Sequence, residues 1–86
     1  MSKSHKIKAL LSMKGIKSSE YSEALGLARQ QALTNKYSRE SFTSDDLIQL
    51  AELTNTQLTF VDKDTGKALV SFDVDDIKTE SKDDNK

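Results

Sequence analysis

The sequence predicts a mainly α-helical domain that ends in a β-hairpin, on three observations. Apolar residues recur at helical spacing from Ile7 to about Leu53. Thr43 followed three residues later by Asp46 is a carboxylate version of the capping box, a marker of a helix start. After Asn55 the apolar period changes from helical to alternating, as in QLTFVD and KALVSFDV. The units expected are a helical domain over 1–56 with four to five helices, a hairpin over 57–74, and an acidic polar tail over 75–86 that should be disordered.

The first helix is expected over about residues 5–14, with Ile7, Leu10 and Leu11 facing inward, Ser4 as cap and Gly15 after the last turn. Lys17, Ser18 and Ser19 can start a second helix, which carries Tyr21, Ala24 and Leu25 inward. The stretch from Tyr21 to Lys36 can be drawn as one continuous helix, but Leu27 and Leu33 would then be left in water on opposite flanks. A break at Gly26 lets both turn inward, and glycine suits the left-handed residue just past a helix end. The third helix is then expected from about Ala28 to Tyr37. Its start has no side-chain oxygen to cap the free amides.

The fourth helix follows Thr43, with Phe42 placed to staple against Leu47, and with Asp45 and Asp46 at the positive end of its dipole. Leu47, Ile48, Leu50 and Ala51 supply its buried side, and Thr54 and Asn55 end it. In the hairpin, Leu58 and Phe60 share one side of the first strand, and Ala68, Val70, Phe72 and Val74 one side of the second. Gly66 fits a left-handed position in the DKDTGK loop. A lone two-stranded hairpin is marginal in water. It must pack on the helices or pair with a second copy through Leu58, Phe60, Val70 and Phe72.

The net charge of −1 conceals an uneven distribution. Residues 1–39 hold eight Lys/Arg against two acids and residues 40–86 five lysines against twelve acids, hence +6 and −7. Such a distribution suits one face to a polyanion and keeps the other away from it; the alternative is an ordinary charge bias that faces solvent. There are no cysteines, which removes disulfides and thiolate metal sites and is compatible with a reducing cytoplasm. No apolar run approaches the ~18 residues of a membrane span, so a soluble, cytoplasmic protein without a membrane partner is expected.

Catalytic chemistry finds few candidates. His5 is the only histidine, there is no cysteine beside it, and a lone histidine near a terminus is usually solvent-exposed, so no catalytic triad is expected. Asp62, Asp64 and Gly66 glance toward a calcium loop, but the glycine falls one position early and the later glutamate is absent. Asp45/Asp46 and Asp75/Asp76 read as caps and solvated charge. No enzyme activity, metal or cofactor is expected.

From about Ile7 to Val61, the run GIKSSEYSEALG, then QALTNK, then RESFTSDDLIQLAELTNTQLTFV resembles the Xre-type, lambda-repressor-like helix-turn-helix family, and especially small members ending in a strand pair. Tyr21, Ser22, Leu25 and Gly26 occupy the slots usually filled by Leu, Ala, Leu and Gly, and Leu33 stands where the third helix has its core anchor. Two departures are visible. Ser18 replaces the usual Gln at the start of helix two, and the Gly26–Leu33 interval is one residue longer and lacks the customary Ser or Thr cap.

The resemblance implies a sequence-specific DNA-binding regulator, a repressor acting as a homodimer on a palindromic operator in double-stranded DNA. With Leu33 buried, Gln31, Thr34 and Asn35 face outward and Gln30 lies toward the N-terminal side; with Arg29 they are the candidate base readers, since amides can pair with adenine and guanidinium with guanine. Lys14, Lys17, Ser18, Lys36 and Arg39 are the candidate phosphate contacts. The alternative is an interaction module of antitoxin-like or antirepressor-like kind, whose partner is a regulatory protein.

Overall fold

In a computed structural model, which describes residues 2–77, Ser2 rather than Ser4 starts the first helix, α1 (Lys3–Met13), its Oγ accepting from the His5 N–H at 3.2 Å. Ser4 is buried instead, and its hydroxyl donates to the Tyr37 carbonyl at 2.6 Å. That long-range bond explains why the expected cap lies inside the helix. α2 (Ser18–Ala24) starts at the position anticipated, with the Glu20 carboxylate accepting from the Lys17 N–H at 3.1 Å. α3 runs over Gln30–Arg39, two residues later at both ends than the sequence predicts. Arg29 is still extended (φ −137°, ψ 150°), because the chain uses Leu27 to Arg29 to turn the corner.

α4 (Ser44–Leu53) has the predicted capping box: the Thr43 hydroxyl accepts from the Asp46 N–H at 3.1 Å, and the Asp46 carboxylate accepts from the Thr43 N–H at 3.0 Å. All four helices end in the same motif, with the amide just after a left-handed residue reaching back to a carbonyl: Ile16 to Leu11, Leu27 to Ser22, Ser41 to Lys36 and Thr56 to Ala51. The left-handed residue in each is Gly15, Gly26, Glu40 and Asn55. Two of the four are not glycine, so the end of α3 carried no glycine signal.

β1 (Leu58–Val61) and β2 (Ala68–Phe72) form an antiparallel two-stranded sheet in which Leu58 faces Phe72 and Phe60 faces Val70. The register slips between Phe60 and Val61, so the alternation fails around Leu69. β2 stops at Phe72, and Val74 opens a 3-10 turn (Val74–Asp76) instead of extending the strand. In that turn the Asp73 carboxylate accepts from the Asp75 N–H, and the Asp76 carboxylate accepts from the Asp73 N–H. Asp75 and Asp76 are therefore part of an ordered turn rather than of a disordered tail; residues 78–86 of the expected tail lie outside the described residues.

Ile7, Leu11, Tyr21, Leu33 and Leu50 make the core, which Leu10, Leu25, Leu27, Tyr37, Phe42 and Leu47 enclose. Tyr21 and Leu33 are fully buried. The Tyr21 hydroxyl donates to the Asp46 carbonyl at 2.8 Å, and its ring lies parallel to that of Phe42 at 6.3 Å. Burial, with the Asp46 carboxylate adding to it, raises the pKa of this hydroxyl well above the ordinary tyrosine range, so it remains a donor. The chain is mainly helical with a small C-terminal sheet, and among the described residues no helix is long and apolar enough to cross a membrane.

Candidate nucleic-acid interface

Leu33 fixes how α3 is presented. Its side chain is wholly inside the core, so residues about half a turn away must face out. Gln30, Gln31, Thr34, Asn35, Ser38 and Arg39 are exposed, as is Arg29 at the N-cap. The direction of α3 is set at Gly26, where φ is +73° and the bond from the Leu27 N–H to the Ser22 carbonyl closes the turn at 3.1 Å. Leu27 then packs against the core, as the broken-helix drawing requires.

Two side-chain bonds organise the exposed face. Gln31 Nε2 donates to Asn35 Oδ1 at 3.3 Å, one helical turn apart. This leaves the Gln31 carbonyl as acceptor and both Asn35 amide protons as donors, a pair with both halves of an adenine-reading pattern. Thr34 Oγ1 donates to the Gln30 carbonyl at 3.4 Å. No side chain caps the start of α3.

The candidate phosphate contacts divide into two groups. Lys14, at the end of α1, Lys17, before α2, and Arg39, in the last turn of α3, are exposed. Lys36 is placed differently from the sequence expectation. Its ammonium lies 2.8 Å from Asp46 Oδ2 and 5.9 Å from the Phe42 ring centroid, so it ties α3 to the start of α4. Nothing in the local sequence around Lys36 announces a partner ten residues away. Ser18 is half-buried, with its Oγ 3.3 Å from the Tyr37 hydroxyl, and it shares a groove with Gln30 and Thr34.

Sequence reasoning missed Ser4, Tyr37 and Asp46, which hold α3 in place. Tyr37 could have been flagged, since it follows Leu33 by four residues on the same helix face.

The hairpin residues expected at a dimer contact form one apolar surface. Phe60 and Phe72 rings are 6.0 Å apart, and they line a cleft against Leu47 and Ser44 of α4 together with Leu58. Phe60 is 66% exposed, Leu69 59% and Val70 54%, so the hairpin packs on α4 only in part. Asp62, which the calcium alternative needed as a ligand, accepts from the Asp64 and Thr65 amides within the loop, and among the described residues no cluster of potential metal ligands occurs. No protein-family model, no characterised protein and no solved structure matches the chain.

Proposed function

We propose that this chain is a sequence-specific DNA-binding regulator of the lambda-repressor-like helix-turn-helix kind, most simply a repressor, in which α2 and α3 form the motif and α3 enters the major groove. The observation that carries this reading is the exposed amide and hydroxyl face of α3, with Gln31 and Asn35 opposite a fully buried Leu33 and Gln30 and Thr34 on its flank. Lys14, Lys17, Arg29 and Arg39 supply cations for phosphates, and Lys36 serves the fold. A homodimer joined through the exposed hairpin surface would present two reading helices to a palindrome.

Four cations per protomer make eight phosphate contacts in such a dimer, and counterion release then lowers affinity about ten-thousandfold between roughly 50 and 200 mM salt. A mobility-shift series with duplex DNA over that range tests it, with a flat salt response as the contrary result.

The second reading, an antitoxin-like or antirepressor-like interaction module, is favoured by the hairpin, whose apolar exposure suits a protein partner as well as a second copy. In that case the partner covers Phe60 and Val70, and duplex DNA is not bound at any salt concentration.

A further inference from the structure

We infer that the groove between the first two turns of α1 and the adjoining side of α3 is a docking track for the sugar-phosphate backbone of the same duplex, with Lys8 and His5 as contacts that α1 contributes. This rests on the DNA-binding reading. The groove encloses about 480 Å³ and runs from Ser18, the first residue of α2, past Thr34 and Ser38 of α3 to His5 and Lys8. Hydroxyls, an imidazole and an ammonium line it, with Glu40 as its single carboxylate. Such a lining suits an extended row of anionic oxygens better than an apolar ligand.

Lys8 is held ready for that role. Its Nζ lies 4.7 Å from the Tyr37 ring centroid, and among the described residues no carboxylate approaches within ion-pairing distance of it. The cation is therefore placed over the groove with its charge uncompensated. α1 has no acid in its first turn while Lys3 and Lys6 lie there, at the positive end of the helix dipole. That arrangement opposes helix stability and is relieved by an external anion. The groove also adjoins the reading face, because Gln30 and Thr34 line it while Gln31 and Asn35 stand on the next strip of the same helix. A duplex seated on α3 thus brings one strand alongside α1.

The test compares Lys8→Gln with Lys6→Gln in the full chain, using random-sequence duplex DNA and a salt series. Both variants remove one charge from α1, but only Lys8 lines the groove. Losing one phosphate contact per protomer, two in the dimer, at about 100 mM salt lowers affinity about sixtyfold and reduces the salt slope by about two. Lys8→Gln should show this and Lys6→Gln should stay within about twofold, with Lys8→Arg restoring wild-type binding. Glu40→Gln should tighten binding. Equal effects of Lys8→Gln and Lys6→Gln overturn the docking track while leaving the DNA-binding reading intact; absence of wild-type binding at low salt overturns both.

Discussion

Replacing Gly26 by alanine isolates the turn that aims α3. The residue has φ +73°, and a methyl group built there would meet no heavy atom within 4 Å. Steric repulsion from neighbours therefore contributes nothing, and the cost is that of holding an L-residue in the left-handed region, roughly 1–2 kcal/mol. Reduced freedom of the unfolded chain offsets about 0.4–1 kcal/mol of it. The net loss is about 1 kcal/mol, or about 4–8 °C in Tm for a domain of this size. Urea unfolding followed by circular dichroism reads it as a lower midpoint at unchanged slope. Two companions sharpen the result: Gly26→Asn should lose less than Gly26→Ala, and Glu40→Gly, which relieves φ +54° at the end of α3, should gain stability. Wild-type stability in Gly26→Ala, or no gain in Glu40→Gly, would show that left-handed strain does not govern these corners.

Three further outcomes follow from the packing. Thr43→Ala removes the hydroxyl that accepts from Asp46 N–H and should cost about 1 kcal/mol in a denaturant melt, whereas Ser44→Ala one residue on should cost little. Tyr21 has its pKa raised on folding, so it stabilises the protein fully below the ordinary tyrosine value near 10, and that contribution declines as pH rises above it. Tyr21→Phe, at a cost of about 1 kcal/mol for the lost bond to Asp46, should make stability less pH-dependent above pH ~10, and an unchanged alkaline profile contradicts the assignment. Phe60→Ser with Val70→Ser should convert a sedimenting dimer to a monomer without lowering helix content, because both side chains are more than half exposed in the single chain; a wild-type monomer at high concentration contradicts the hairpin contact.

The elements that could be read from the sequence are those whose determinants are local. α4 was legible because Thr43, Asp46 and the Leu47–Ala51 stripe all lie within nine residues. The break at Gly26 followed from two leucines that a continuous helix would have stranded, and burial of Leu33 followed from the break. What escaped was set at a distance. Ser4 is drawn into the interior by Tyr37, 33 residues on, which moved the α1 cap to Ser2. Lys36 is captured by Asp46, and no spacing rule separates such a lysine from a free one. α3 extends to Arg39 because Glu40 accepts a left-handed conformation that sequence habit reserves for glycine or asparagine. On the candidate site, the exposed strip Gln30, Gln31, Thr34 and Asn35 came directly from the helical repeat once Leu33 was placed inside. The Gln31–Asn35 bond and the α1 groove needed coordinates.

Selection of bound sequences from a random duplex pool, run on wild type, Gln31→Ala and Asn35→Ala, puts α3 to the test directly. Wild type should enrich a palindrome with half-sites about one DNA turn apart, and each variant should lose preference at its own symmetric pair of positions. No enriched sequence from the wild type, or the same full preference retained by both variants, would contradict the assignment of this helix as the reader.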